Sequence, residues 1–146
     1  LSCVYGENQW GTEDQGWIAW FIKCALHNNK IKLFGTGKQV RDVLHVSDLT
    51  NLIYLCVKKS NSIKGHAFNI GGGPRNTLSL LELINKIEIK LKTKINFSFK
   101  KERFGDQKFF VNNFLKIKKM TGWYPKVSVN DGLKKYINWI KFKDKK

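Results

Sequence analysis

Arg41 is the residue of this chain best suited to binding a phosphate. It lies in the segment from Gly35 to Leu49, which reads GTGKQVRDVLHVSDL. The glycines of this segment permit a tight turn, and residues 40 to 45 alternate as in a short strand. A guanidinium at the start of that strand can bind a phosphate through two parallel hydrogen bonds. The alternative is a surface arginine, or an ion pair between Arg41 and the adjacent Asp42.

Arginine is scarce in this chain, and its scarcity bears on Arg41. The 27 basic residues include three arginines, Arg41, Arg75 and Arg103. Lysine therefore occupies nearly every position where any positive charge suffices. Because lysine offers a point charge and arginine a planar fork, an arginine in this background indicates a need for the fork.

The composition is that of a single globular domain with a strongly basic surface. The chain has 146 residues, 42% of them hydrophobic, with two prolines and a formal net charge of +16. Such a charge is typical of proteins that bind nucleic acid or anionic membranes. The lysines are nevertheless spread along the whole chain, and readout of bases favours more arginine. Nucleic acid is therefore not the expected partner. A basic module that binds polyanions is the alternative function that the net charge leaves open.

The spacing of the cysteines and the length of the apolar runs bear on the compartment in which the protein is found. Cys3, Cys24 and Cys56 are widely spaced and form no metal-binding pattern, so we expect reduced thiols and no metal. No apolar run reaches the roughly 18 residues of a membrane span, and the start does not resemble a signal peptide. The sequence predicts a cytoplasmic protein that does not associate with membranes.

The apolar periodicity predicts an α/β order of short strands and four or five helices. Predicted strands cover Leu1–Tyr5, Ile31–Phe34, Val40–His45, Ala67–Ile70 and Ile95–Phe99. The first predicted helix runs from Asp14 or Gln15 to about Asn28, and the second follows a cap at Ser47 or Asp48. The third follows a cap at Thr77 or Ser79 and runs to about Leu91, and the fourth follows a cap at Asn113 and runs through Met120. The last starts at Ser128 or Asn130 and runs through Ile140. Ser79 and Glu82 have the spacing of a capping box.

Two literal motif matches carry no chemistry. Tyr54 and Lys58 have the YxxxK spacing of a proton-relay pair. On the predicted helix they lie opposite the apolar face, which predicts two surface residues. The glycines at 71 to 73 do not form the GxGxxG pattern of a dinucleotide-binding loop.

The remaining polar and aromatic candidates each allow a structural interpretation. His45 could be a base that faces a ligand, although a lone histidine between apolar neighbours favours a structural role. Glu13, Asp14 and Asp106 are candidate acids that form no obvious acid and base pair. An aromatic cluster could stack a nucleobase, although core packing is favoured for most of its members: Trp10, Trp17, Trp20 and Phe21.

Five motifs in order resemble the C-terminal half of the extended short-chain dehydrogenase/reductase family, the NAD-dependent nucleotide-sugar epimerases and dehydratases. They are SCVYGENQ at 2–9, GTGKQVRDVLHVSDL at 35–49, AFNIGGG at 67–73, RFGDQ at 103–107 and GWYPKVSVNDGL at 122–133. EDQGWIAWF at 13–21 together with GKQVRDVLH is especially similar to the branch that epimerises C2 of CDP-linked dideoxyhexoses. The resemblance implies oxidation of C2 by bound NAD and return of the hydride to the other face of the sugar.

The resemblance also implies the fold and the site. We expect residues 1–146 to form one substrate-binding lobe of mixed short strands and helices, the C-terminal part of a Rossmann-type enzyme. Arg41 and Arg103 would bind the diphosphate of a nucleoside diphosphate sugar, preferably a CDP-sugar, and the loop from Tyr5 to Gln15 would shape the pocket. The expected substrate-binding residues are Gln9, Gln15, Trp17, Val40, Arg41, Arg103 and Asp106.

The same resemblance places the chemistry outside this chain. The dinucleotide-binding fold and the catalytic serine or threonine, tyrosine and lysine of the family lie upstream of Leu1, so we expect the chain alone to be inactive. NAD would be bound mainly by that upstream half, and the complete enzyme would form a homo-oligomer. Phe104 stands where the family usually carries proline. An inactive remnant is a further alternative.

Overall fold

The computed structural model describes residues 1–143 as alternating short strands and helices. The strands are β1 (Cys3–Tyr5), β2 (Ile31–Phe34), β3 (Val40–His45), β4 (Thr77–Ser79), β5 (Phe97–Lys100) and β6 (Phe109–Phe110). The helices are α1 (Trp17–Leu26), α2 (Val46–Lys58), α3 (Ser60–Ile63), α4 (Leu80–Leu91), α5 (Leu115–Thr121) and α6 (Val129–Lys143), with a 3₁₀ turn at Pro74–Asn76.

Strand β3 is the centre of the larger sheet. It pairs in parallel with β1, where Val43 to His45 lie opposite Cys3 to Tyr5. It pairs antiparallel with β4 and in parallel with the two residues of β6. Strands β2 and β5 form a separate parallel pair. The α/β class expected from the sequence is confirmed.

The two faces of β3 contact two different apolar clusters. Val43 belongs to the larger cluster, which includes Ile22 of α1, Ile87 of α4 and Leu133 of α6. Leu44 belongs to a smaller cluster with buried residues of α2 and α5 and with Trp123. Because successive side chains of a strand point to opposite faces, β3 is buried on both sides, as is usual for strands covered by helices.

Two buried carboxylates attach loops to this framework. The Asp42 side chain, which is fully buried, accepts hydrogen bonds from the Ser2 hydroxyl at 2.6 Å and from the Gly73 N–H at 3.0 Å. Asp48 in the first turn of α2 accepts from the N–H groups of Lys126 and Val127 at 3.0 and 2.9 Å. Buried charges are tolerated where such hydrogen bonds satisfy them. The ion pair of Arg41 with Asp42 that the sequence allowed does not form, because the Asp42 carboxylate has these other partners.

Most predicted elements are confirmed, and several ends are not. Strands β2 and β3 have the predicted bounds, and Ser79 and Glu82 form the capping box. Gly122, with φ +81°, ends α5 at its C-cap. The Ser128 hydroxyl accepts from the Asp131 N–H at the start of α6. These confirmed features all depend on local hydrogen bonds or local apolar alternation.

The predicted start of α2 at Ser47 or Asp48 is wrong. The helix begins at Val46, and the N-cap is His45, whose Nδ1 accepts from the Ser47 N–H at 3.3 Å. The carboxylate of Asp48 is used by the loop at 126–127 instead. A distant contact therefore overrides the local capping preference of the aspartate.

Other elements also differ from the prediction. Strand β1 begins at Cys3 instead of Leu1, and β5 spans Phe97–Lys100 instead of Ile95–Phe99. Helix α1 begins at Trp17, after Gly16 in a left-handed conformation with φ +73°. The segment 67–70 forms no strand, although the Ser2 N–H donates to the Ile70 carbonyl at 2.8 Å. The helix after Asn113 begins at Leu115, with Phe114 at the N-cap position; the Asn113 side chain nevertheless accepts from the Leu115 N–H at 2.9 Å.

The cysteines are free within the described residues. Cys24 is buried in α1, and burial raises the pKa of its thiol to about 11. Cys3 and Cys56 are half-buried. A thiol with so high a pKa stays protonated and unreactive at neutral pH, which suits a packing role for Cys24.

Replacing Asp48 tests the attachment of the 126–127 loop. We expect Asp48→Ala to lower the free energy of unfolding by about 2 to 4 kcal/mol, because two N–H groups lose a charged acceptor. Asn51→Ala, an exposed change on the same helix, should change it by less than about 0.5 kcal/mol. Urea denaturation followed by circular dichroism measures both. Equal effects of the two substitutions would contradict the structural role of Asp48.

Candidate functional site

One cavity brings together both arginines that the sequence singled out. It has a volume of about 400 Å³ and lies between the start of α1, strands β2 and β3 and the loop at 101–106. Its charged lining residues are three acids and three bases: Glu13, Asp14, Asp106, Lys32, Arg41 and Arg103. Its aromatic lining residues are Trp17, Phe21, Phe34 and Phe104.

Arg41 is held at the cavity wall by a fixed set of partners. Its Nη2 contacts Asp106 Oδ1 at 2.7 Å, and its Nη1 donates to the Val40 carbonyl at 2.9 Å. The second oxygen of Asp106 accepts from the Gln39 amide at 3.1 Å, and that amide also donates to the Phe34 carbonyl at 2.7 Å. The Arg41 and Asp106 side chains are mostly buried. A guanidinium has five N–H donors, so these contacts leave others for a ligand.

Arg103 lines the same cavity and belongs to the loop at 101–106. Its Nη2 contacts Asp14 Oδ1 at 3.0 Å, and its guanidinium carbon lies 4.1 Å from the centre of the Phe34 ring. Asp14 is largely exposed, so this ion pair is weak and easily exchanged. The stacking on Phe34 restricts the guanidinium plane without using any of its N–H donors.

A third ion pair completes the charge balance of the cavity. Lys32 Nζ lies 3.1 Å from Glu13 Oε2. Among the described lining residues, each base is thus paired with an acid. The cavity has no excess positive charge to attract polyanions in general, in contrast to the whole chain. An anionic ligand would have to replace Asp14 as the acceptor for Arg103. At Arg41 it would bind beside Asp106, which keeps its own hydrogen bond.

Four of the seven predicted site residues line this cavity, namely Trp17, Arg41, Arg103 and Asp106. Gln9, Gln15 and Val40 are not among its lining residues. Gln9 instead joins the loop to the core. Its side-chain amide donates to the Val4 carbonyl, and its backbone carbonyl accepts from the Tyr136 hydroxyl. Gln15 closes a turn with Thr12, and Val40 pairs with Ser79 and Phe109 in the sheet.

Sequence reasoning did not assign Lys32, Phe34 and Gln39 to the site. Lys32 is the one polar residue within the otherwise apolar β2, and such an interruption is a readable signal. Gln39 lies two residues before Arg41, on the same side of the extended segment, where period 2 could have indicated it. Phe34 had no such signal, because its role depends on a contact with Arg103, which is distant in sequence.

The aromatic cluster divides between the core and the cavity. Phe21 is buried, and Trp17 packs edge-on against it at 5.9 Å. Trp20 is half-buried against the larger apolar cluster. Trp10 lies against Trp139 at 5.2 Å, with half of its surface exposed. Packing therefore accounts for most of the cluster, as expected.

His45 has a structural environment. Its ring is buried, contacts Tyr5 edge-on, and its Nδ1 lies 2.8 Å from the Ser47 hydroxyl. Its Nε2 lies 3.4 Å from Glu7 Oε2. Burial lowers the pKa of His45 below its ordinary value, and Lys135 adds to the effect while Glu7 and Asp48 oppose it. A neutral buried imidazole that caps α2 is not a ligand-facing base of this cavity.

The YxxxK pair is on the surface, as predicted. Tyr54 is 57% exposed on α2, and Lys58 Nζ lies 4.5 Å above the Tyr54 ring. Within residues 1–143, no group of three or more metal-ligating side chains forms. No helix in that range is long and apolar enough to cross a membrane.

The glycines at 71 to 73 pack against the protein itself. A Cβ on Gly72 would lie 2.0 Å from the Val43 carbonyl oxygen, and one on Gly71 would lie 2.2 Å from Asp42 Oδ2. A Cβ on Gly73 would approach the Phe114 ring to 2.4 Å. These glycines provide close packing around β3, and they leave no open cradle for a dinucleotide.

Comparison with known proteins confirms the resemblance. Residues 1–71 match the NAD dependent epimerase/dehydratase family. The chain is 41% identical over 143 residues to CDP-paratose 2-epimerase of Salmonella typhi, covering 94% of this chain and 42% of that protein. It is 32% identical over 142 residues to a putative UDP-glucose 4-epimerase of Methanocaldococcus jannaschii, covering 96% and 44%.

A solved structure agrees with these relatives. UDP-glucuronic acid 4-epimerase from Bacillus cereus, in complex with UDP-glucuronic acid and NAD, superimposes with a TM-score of 0.86 at 27% identity. The match covers 97% of this chain and 43% of that one. The chain thus spans less than half the length of each of these three proteins.

The pH dependence of stability tests the environment of His45. Its folded pKa is lower than its unfolded value, so the unfolded state binds the proton more readily. We therefore expect the free energy of unfolding to fall as the pH decreases from about 7.5 to about 5.5, through the ordinary pKa of histidine. His45→Gln should flatten this decrease, and His66→Gln, at an exposed position, should not. Urea unfolding at several pH values measures it. Equal slopes in all three proteins would contradict the assignment.

Proposed function

Because the chain belongs to the NAD dependent epimerase/dehydratase family, we propose that it is the substrate-binding lobe of a nucleotide-sugar epimerase similar to CDP-paratose 2-epimerase. In this proposal residues 1–146 form a single lobe. The substrate is a nucleoside diphosphate sugar, and the complete enzyme converts a CDP-linked dideoxyhexose by oxidation and reduction at C2. The complete enzyme is a homo-oligomer in the cytoplasm.

One observation carries the proposal: Arg41 and Arg103, two of the three arginines among 27 basic residues, line the same cavity. They come from segments about sixty residues apart, so their meeting is a property of the fold. Two planar guanidinium groups at one cavity match the two phosphates of a diphosphate. Trp17 and Asp106 are then wall residues of the same site. Gln9, Gln15 and Val40 can act on it only from outside the cavity lining.

The NAD of the proposed enzyme is bound mainly by residues outside this chain. NAD supplies the hydride exchange of such epimerases. The packed glycines at 71 to 73 do not fit a dinucleotide, so no step of the redox chemistry is assigned to these residues. Their part is to bind and orient the substrate, and the chain by itself should not catalyse epimerisation.

The paired acids of the cavity favour a discrete ligand over a general polyanion. A diphosphate carries two or three negative charges. One of its phosphates can displace the exposed Asp14 carboxylate from Arg103. Asp106 stays bound to Gln39 and thereby keeps Arg41 at the wall. The affinity then depends on the positions of two guanidinium groups, whereas binding to scattered lysines depends on total charge and salt.

A cytidine nucleotide is the favoured form of the ligand. The support is the 41% identity to a CDP-paratose 2-epimerase over nearly the whole chain. Other relatives carry the names of enzymes of UDP-sugars at lower identity. Titration with CDP and with UDP in parallel separates these two possibilities.

Calorimetric titration of the 146-residue chain with CDP tests the site. We expect saturable binding of one CDP, which Arg41→Ala and Arg103→Ala each weaken about tenfold or more, since a hydrogen bond to a charged group contributes about 1.5 to 3 kcal/mol. Arg41→Lys keeps the charge and loses the fork, and should give an intermediate affinity. Arg75→Ala, at an exposed arginine outside the cavity, is the matched control and should bind normally.

Other outcomes of this titration contradict the proposal. Equal binding of CDP after Arg41→Ala would remove the diphosphate site. Binding of unrelated RNA that survives Arg41→Ala and weakens steeply with salt would support the polyanion-binding alternative. Circular dichroism of each variant establishes that it is folded.

Removing the acid that faces Arg103 should have the opposite effect. We expect Asp14→Asn to bind inorganic pyrophosphate about two- to fivefold more tightly, because an exposed ion pair costs little to break and the repulsion of the anion decreases. The gain should shrink as salt is added. Glu102→Gln changes the same charge at an exposed residue that does not line the cavity, and is expected to have a smaller effect. A weaker affinity of Asp14→Asn would contradict the exchange of Asp14 for a phosphate.

A further inference from the structure

We propose that Phe104 stacks on the nucleobase of the bound nucleotide and so contributes to its recognition. The inference rests on the proposed function, since it needs a nucleotide at the cavity of Arg41 and Arg103. It assigns a binding role to a residue whose ring has no packing role. Phe104 is 109% exposed, the highest exposure among the exposed large hydrophobic residues, and it lines the rim of this cavity.

A tight turn displays the Phe104 ring. The Asp106 N–H donates to the Arg103 carbonyl at 3.2 Å, which places Phe104 and Gly105 at the two central positions. Gly105 has φ +74°, the conformation that a type II turn requires at its third residue. The two flanking residues are anchored, Arg103 on Phe34 and Asp106 on Arg41. The turn therefore places Phe104 in the cavity lining that both arginines share, while its ring stays exposed to water.

The other three aromatic rings of the cavity are each at least partly covered by the protein. Phe21 is buried, and Trp17 is partly buried against the larger apolar cluster, where it contacts Phe21. One face of Phe34 is covered by the Arg103 guanidinium. Phe104 is the most exposed of the four aromatic residues that line the cavity.

An exposed phenyl ring and a nucleobase have complementary surfaces. The base presents a flat π-face with little preference for its identity, and stacking on an aromatic ring removes apolar surface of both from water. A nucleotide whose phosphates lie on Arg41 and Arg103 has its base tethered nearby. Stacking on Phe104 would thus distinguish a nucleoside diphosphate from a bare diphosphate.

Comparison of CDP with inorganic pyrophosphate tests this role. We measure both affinities calorimetrically for the 146-residue chain and for Phe104→Ala, Phe104→Pro and Phe104→Trp. The proline variant suits the second position of a type II turn and lacks the aromatic ring. We expect the alanine and proline variants to bind CDP about five- to tenfold more weakly and pyrophosphate unchanged, and tryptophan to retain the affinity for CDP.

Each other result overturns the proposal in a distinguishable way. Unchanged CDP affinity in Phe104→Ala and Phe104→Pro overturns the stacking and leaves the diphosphate site intact. Equal losses for CDP and pyrophosphate indicate a disturbed Arg103 instead of a lost base contact. Failure of the unsubstituted chain to bind either probe overturns the proposed function together with this inference.

Discussion

The backbone pairing of β3 is the constraint on which the rest of the structure depends. This strand of six residues hydrogen-bonds to β1, β4 and β6 and is buried on both faces between two apolar clusters. Its successive side chains therefore have fixed and opposite directions. Arg41 reaches the cavity, and the next residue, Asp42, is directed to Ser2 and Gly73. A shift of the register by one residue would exchange these two side chains and destroy both arrangements.

The charge balance of the cavity follows from this framework. A chain with a net charge of +16 nevertheless surrounds its two cavity arginines with acids. Asp106 keeps the Arg41 guanidinium oriented without a ligand, which lowers the entropic cost of binding one. The two pairs differ in strength. Asp106 is mostly buried and braced by Gln39, while Asp14 is exposed, so Arg41 is a fixed contact and Arg103 an exchangeable one.

The local features of the fold could be predicted from the sequence, and the long-range features could not. Alternation and capping are local, which is why β2, β3 and the Ser79 capping box were predicted correctly. The start of α2 was wrong because Asp48 binds a loop almost eighty residues away. Long-range contacts also explain why the site was predicted only in part. The rarity of arginine indicated Arg41, and period 2 could have indicated that Gln39 lies beside it. The hydrogen bond from Gln39 to Asp106 and the contact of Phe34 with Arg103 join residues more than sixty positions apart, which no spacing reveals.

A crystal structure of the chain with CDP tests the central claim, that Arg41 and Arg103 converge on one diphosphate, most directly. We predict phosphate oxygens within hydrogen-bond distance of both guanidinium groups, with Asp106 still on Arg41 and Asp14 displaced from Arg103. CDP bound among surface lysines, with no phosphate oxygen near either guanidinium and Asp14 still on Arg103, would contradict it.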